Sequence, residues 1–100
     1  MVYVDDFNAP YRGMLMCHML ADSTEELLEM VDKIGVQRKW IQDAGTYNEH
    51  FDICLAKKAL AIKHGAKEVN RREAAKIRMS RPGHPLFHRT KQSIDQTATP

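Results

Sequence analysis

One hundred residues, 43% hydrophobic and 28% charged, describe one soluble globular domain with a modest core. No apolar run approaches the ~20 residues that span a bilayer, and the opening MVYVDDFN lacks the basic stretch of a secretory leader. The net charge of +2 hides an asymmetry: residues 1–56 carry four Lys/Arg against ten Asp/Glu, and residues 57–100 carry eleven against three.

Residues 2–5 read as a short strand, with Val2, Tyr3 and Val4 as its β-formers. Residues 6–13 form a loop around Asn8, Pro10 and Gly13. Residues 14–21 are an almost continuous apolar run of strand length, as in a strand covered on both faces, interrupted by His18. Ser23-Thr24-Glu25-Glu26 fits a capping box. Leu27, Met30, Val31 and Ile34 then recur at helical spacing, and Gly35 supplies the stop.

Residues 36–42 read as a third strand and 43–49 as a loop. Residues 51–64 read as a second helix, with Ile53, Ala56, Ala59 and Leu60 on one side. A weak strand at 66–69 follows, and Asn70 opens a short basic helix that ends near Met79. From Ser80 the composition turns to Pro, Gly, Gln, Ser and Thr, as in a flexible tail.

The order β-β-α-β-α-β-α predicts an α/β fold. It has a small mixed, mostly parallel four-stranded sheet with helices packed on it, in one domain over 1–79 followed by a tail over 80–100. Two right-handed crossovers would bring Asp22, His50 and Asp52 to one end of that sheet and leave Asp5 and Asp6 at the other.

Two segments pair a histidine with a carboxylate, His18-x-x-x-Asp22 and His50-x-Asp52, and little else in the chain carries chemistry. At the start of a helix, His50 and Asp52 would meet free N–H groups and a dipole that favour phosphate. Lys57, seven residues after His50 on nearly the same stripe, would add positive charge. Each residue has an ordinary structural role as well. Asp52 fits an N-cap, Asp22 adjoins the Ser23 capping box, and a histidine inside a strand, such as His18, is commonly a buried neutral ring.

Two imidazoles could divide acid and base duty in cleaving a phosphodiester, with Lys57 steadying the phosphoryl charge. The same set could hold a divalent metal that activates water, and spacing does not separate the two. No residue is assigned as a metal ligand. Cys17 and His18 are strand neighbours that point to opposite faces, which argues against a zinc site built from Cys17, His18, His50 and Cys54.

Asp5 and Asp6 resemble half of a metal-nuclease site, and equally a turn held by pairing with Arg12. Trp40 stacks on a base or sits in the core. Tyr47, in the loop before His50, should rim the site, and Arg12 is a further candidate for substrate binding.

MVYVDD, RGMLMCHMLAD, IGVQRKW and HFDICLAKKALAIKHGA together resemble a family of small proteins of bacteria and bacteriophages classed as a domain of unknown function. The resemblance covers roughly residues 1–70. The family pattern has tyrosine where this chain has Phe51, so no tyrosine hydroxyl acts there. The resemblance implies a bacterial or phage-infected cytoplasm, and by association a role in countering host defence through nucleotide signals.

The resulting expectation is a nucleotide phosphate-binding phosphodiesterase of the cytoplasm, acting on a nucleotide or cyclic oligonucleotide. His18, His50, Asp52 and Lys57 would be catalytic, and Asp22, Tyr47, Trp40 and Arg12 substrate-binding. A divalent metal remains an open cofactor. Two cysteines without a secretory signal fit free thiols in a reducing compartment. No membrane partner is expected, and a chain this short gains stability from pairing, so a homo-oligomer is. The alternatives are a protein that sequesters a nucleotide without cleaving it, and a nucleic-acid or protein adaptor working through basic residues 57–91.

Overall fold

The computed structural model describes residues 1–83. The expected tail therefore lies, from residue 84 onward, outside the described residues. The elements in chain order are β1 (Val2–Val4), β2 (Ala9–Tyr11), β3 (Met14–Ala21), α1 (Thr24–Ile34), a 3-10 turn (Arg38–Trp40), β4 (Phe51–Cys54), α2 (Leu55–Lys63), β5 (Lys67–Glu68) and α3 (Arg71–Met79). The fold is a small α/β domain with a mixed five-stranded sheet and three helices.

The long strand β3 organises the sheet. On one edge it pairs antiparallel with β1 (Val4↔Met19) and, further along, with β2 (Ala9↔Met16). On the other edge it pairs antiparallel with β4 (Met16↔Cys54 to Met19↔Phe51). Only β5, beside β1, runs parallel to its neighbour. This corrects the expected four-stranded, mostly parallel sheet.

The correction has two local causes. Residues 36–42 hold three consecutive polar side chains, Gln37, Arg38 and Lys39, that cannot alternate across a sheet. They form the 3-10 turn instead. Phe51 and Ile53 are buried while Asp52 is exposed, the period-two pattern of a strand, and the chain passes from β4 into α2 without a loop. The helix therefore begins at Leu55 rather than Phe51.

Other expectations hold. Ser23 caps α1 by accepting the Glu26 N–H, and Gly35 closes that helix in the left-handed region at φ 79°. Asn70 and Glu73 form a capping box at the start of α3.

Alternation sorts the side chains onto two faces. Val2, Val4, Cys17, Met19, Ala21, Phe51 and Ile53 point to the face covered by α1 and α2, where they meet Leu27, Met30, Val31, Ile34 and Ala61. The opposite face is only partly covered: Leu20 packs under Val69, Ala74 and Ile77 at the α3 end. Among the described residues, no helix lies over the rest of that face, from His18 toward β2. Helix α2 also leaves Leu55, Leu60 and Ile62 exposed.

Phe51 is fully buried at the centre of the two-helix face. Phe51→Ala is expected to cost about 3–5 kcal/mol, a large share of a small domain's stability, read as a lowered midpoint of urea unfolding.

Candidate functional site

Three polar residues lie in a row across the uncovered face. The β1–β3 register continues one step beyond Val4↔Met19, bringing Asp5 opposite His18, with the Asp5 N–H donating to the His18 carbonyl at 3.1 Å. Across the other edge, His18 faces Asp52. After Asp5 the chain leaves the ladder and rejoins it at Ala9↔Met16, so residues 5–8 stand opposite only Cys17 and His18. Such a bulge re-aims side chains locally.

Asp5 is 1% exposed, yet its oxygens are well supplied with donors. Oδ1 accepts the backbone N–H of His18 at 2.9 Å and of Phe7 at 3.2 Å, and Oδ2 accepts His18 Nδ1–H at 2.8 Å. Burial alone would raise this carboxyl's pKa. The hydrogen bonds from His18 and Phe7 outweigh it and hold Asp5 below its ordinary value, so Asp5 is a carboxylate and His18 carries its proton on Nδ1. The His18 Nε2 therefore points away from Asp5, toward Asp52 Oδ1 at 3.8 Å.

His50 is fixed in the same tautomer by a different partner. Its Nδ1 lies 2.5 Å from the Asn48 carbonyl, which can only accept, so Nδ1 holds the proton. Its Nε2 lies 3.4 Å from Asp52 Oδ1. The two imidazole rings meet edge to face with centroids 5.2 Å apart.

Asp52 Oδ2 is taken by Gln42, whose side-chain amide donates at 2.6 Å. Gln42 reaches it because its backbone pairs with His50 in an isolated antiparallel bridge. The loop closed by that bridge is pinned from inside. Buried Glu49 accepts Thr24 Oγ1–H at 2.7 Å and the Gly45 N–H at 2.8 Å, and Arg81 donates to the carbonyls of Ala21, Tyr47 and Glu49.

This centre opens onto a cleft of about 620 Å³ lined by His18, Asp52, Gln42, Phe7, Tyr11, Arg12 and Trp40, among others. That volume lies within the range of small-molecule sites. Trp40 is 62% exposed and Tyr11 54%, so both present aromatic faces to solvent rather than to the core. Lys39 lies over the Trp40 ring and Arg12 over the Tyr11 ring.

Arg12 sits in a two-residue hairpin turn between Tyr11 and Met14, with φ 48° followed by Gly13 at φ 78°. That turn favours Asn, Asp or Gly at its first position, and a larger side chain there costs about 1–2 kcal/mol. Arg12 holds this conformation at the lip of the cleft.

The structure brings together His18, His50 and Asp52, with Arg12 and Trp40 along the same cleft. It removes three expected partners. Lys57 turns away: its Nζ donates to the Ile34 carbonyl at 2.8 Å and closes the C-terminus of α1. Asp22 accepts the Tyr3 hydroxyl at 3.1 Å and, with Tyr47, lines a separate hollow beside Arg81.

Asp52 lies on β4 and His50 in the isolated bridge just before it, neither at the N-terminus of α2, so the expected dipole contribution is absent. Asp5, expected at the far end of the sheet, touches His18 because the site forms on a sheet face rather than at strand ends. Its neighbour Asp6 instead accepts the Arg71 N–H at the start of α3.

Two contributors escaped sequence reasoning, Gln42 as the partner of Asp52 and the Asn48 carbonyl as the partner of His50. The His50-x-Asp52 spacing on a strand is the signal that would have pointed to them. Cys17 lies on the opposite, buried face; burial and then the nearby Asp5 charge push its thiol up to about 12, so it is inert. Residues 84–91 of the expected adaptor surface lie outside the described residues.

The fold and site define a small α/β domain with a histidine–carboxylate centre on an open sheet face. The chain belongs to the family described as "Protein of unknown function (DUF4031)", whose model matches residues 2–81 and so extends through α3. No curated protein and no solved structure matches the chain. Among the described residues, no helix is long and apolar enough to cross a membrane.

Because Asp5 is held below its unfolded-state value, its contribution is present above that value and lost as pH falls through the folded one. Wild-type stability should therefore drop below about pH 4. Asp5→Asn should cost about 1–3 kcal/mol at pH 7 and flatten that acid limb. Urea unfolding of both proteins between pH 3 and pH 7 measures this.

Proposed function

We propose that this protein is a nucleotide phosphodiesterase that hydrolyses its substrate in the cleft beside His18, His50 and Asp52. The observation that carries the reading is the convergence of two imidazole Nε2 atoms and one carboxylate oxygen, each oriented by its own hydrogen-bond partner, where His18 and Asp52 line a cleft that also presents Arg12, Tyr11 and Trp40, with His50 buried behind them.

Each part suits one portion of a nucleotide. The exposed faces of Trp40 and Tyr11 stack on a base. Arg12 offers a guanidinium fork to phosphate. The histidine–carboxylate centre presents three acceptors, so it is suited to hold a water and remove its proton. The water oxygen attacks phosphorus, the bond to the leaving oxygen breaks, and the proton removed from water returns to that oxygen. As an unassisted acid–base pair, the two rings would need one of them protonated on Nε2 to supply this last step. A cyclic or linear oligonucleotide signal, in the bacterial or phage setting that the family resemblance implies, is the proposed substrate class.

The test is incubation with a panel of linear and cyclic nucleotides, read by mass spectrometry. Cleaved products are expected from the wild type, and a loss of at least ~100-fold in turnover from His50→Ala. A ligand that returns intact from the denatured protein would replace this reading with sequestration. Neither product nor bound ligand would overturn it.

Arg12→Asn separates fold from function. It relieves the strained turn, so Tm should hold or rise, while nucleotide affinity should fall by ~10-fold or more. Thermal melts and binding titrations of the same sample check both halves.

A further inference from the structure

The same centre carries a sharper assignment. His18 Nε2, His50 Nε2 and Asp52 Oδ1 face one another, and among the described residues no hydrogen-bond donor lies between them. The two imidazoles cannot reverse this by changing tautomer without breaking the bonds from Nδ1 to Asp5 and to Asn48. Three lone-pair donors turned toward one point repel unless a cation lies among them. Either a proton or a metal ion satisfies them, and the arrangement around them decides which.

Three features favour the metal. First, the donor atoms lie within 4.8 Å of one another, with separations to Asp52 Oδ1 of 3.4 and 3.8 Å. Ligand atoms at 2.0–2.2 Å from one ion lie roughly 3–3.5 Å apart, so small side-chain rotations complete the set. Second, every donor has a supporting partner, Asp5 for His18, the Asn48 carbonyl for His50 and Gln42 for Asp52. Metal-binding histidines characteristically donate their other ring N–H to a carboxylate or carbonyl, which fixes the tautomer and raises basicity. Third, the site has three protein ligands and borders a cleft, the arrangement that leaves a coordination position for water or substrate.

We propose that His18, His50 and Asp52 bind a single divalent transition-metal ion, with zinc the best match to two imidazoles and one carboxylate, and at least one coordination position open to the cleft. Two imidazole nitrogens disfavour magnesium and calcium, which prefer oxygen. Bound there, the ion would lower the pKa of a coordinated water toward neutrality and supply the hydroxide for hydrolysis. The phosphodiesterase reading places the substrate on this ion, but the metal site itself stands on the ligand geometry alone.

The test uses the full chain, stripped with chelator and titrated with cobalt(II) as a spectroscopic probe and with zinc by calorimetry. One equivalent is expected to bind, with visible cobalt bands that zinc abolishes. His18→Ala and His50→Ala should each weaken zinc binding more than ~100-fold, exceeding the ~10–100-fold expected for Gln42→Ala, which removes only a supporting partner. Lys57→Ala, outside the centre, should leave affinity unchanged.

If buried His50 cannot be replaced without unfolding, Asp52→Asn at a half-exposed position gives the same readout, with far-UV circular dichroism confirming the fold. Absence of cobalt bands in the wild type, or zinc affinity that the three ligand variants leave unchanged, would overturn the site. The two proposals fail separately. A bound ion with no nucleotide product removes the phosphodiesterase and keeps the metal, whereas turnover undiminished by chelator removes the metal and keeps the phosphodiesterase.

Discussion

A carboxylate taken out of water costs several kcal/mol unless donors replace its hydration. Asp5 is such a group, and its three N–H donors come from His18 and Phe7. Meeting that demand shapes much of the domain. The chain must break from the β1–β3 ladder after Asp5, which produces the bulge over residues 5–8. The His18 ring must turn its Nδ1 toward Asp5, which leaves Nε2 facing Asp52 across the strand pair. The bulge also carries Phe7 onto the His18 ring, centroids 4.8 Å apart, and Asp6 onto the first turn of α3. One buried carboxylate, with the bulge built around it, thus couples the sheet, the site and the third helix.

The remainder follows from unequal covering of the sheet. Helices α1 and α2 bury most of one face, while α3 is short and reaches only the Leu20 end of the other. What α3 leaves open becomes the cleft, walled by the β2–β3 hairpin on one side and Trp40 on the other. The site is therefore a row across strands, Asp5, His18 and Asp52, rather than a cluster at strand ends as in doubly wound folds. The hairpin carries Arg12 in a conformation that a polar or glycine residue would occupy more comfortably, consistent with stability yielded for a charge at the cleft mouth.

Much of this was legible in the chain. The Ser23 and Asn70 caps, the Gly35 stop and the 27/30/31/34 stripe place two helices almost to the residue, because each signal is local. His18, His50 and Asp52 stand out as polar interruptions in apolar segments. What was not legible depends on pairing partners far apart in sequence. FDIC runs directly into an apolar helix, so its strand alternation merges with helical spacing, and the expected helix absorbs β4. Losing β4 and gaining a false strand at residues 36–42 reverses the inferred strand directions. That error sends His50 and Asp52 to the Asp22 end of the sheet, away from Asp5, and brings Lys57 into a site it never enters. Gln42 and the Asn48 carbonyl act through a backbone bridge and a main-chain oxygen, neither of which has a residue-type signature.

The central claim is that His18 and His50 are both held as Nδ1–H tautomers, so that two Nε2 lone pairs converge on Asp52 Oδ1. Long-range ¹H–¹⁵N correlation spectra of the histidine side chains at neutral pH, assigned with single-histidine variants, test it most directly. The predicted result is a protonated Nδ1 and an unprotonated Nε2 in both rings, with both Nε2 resonances moving together when zinc is added. An Nε2–H tautomer in either ring, or Nε2 signals indifferent to zinc, would contradict it.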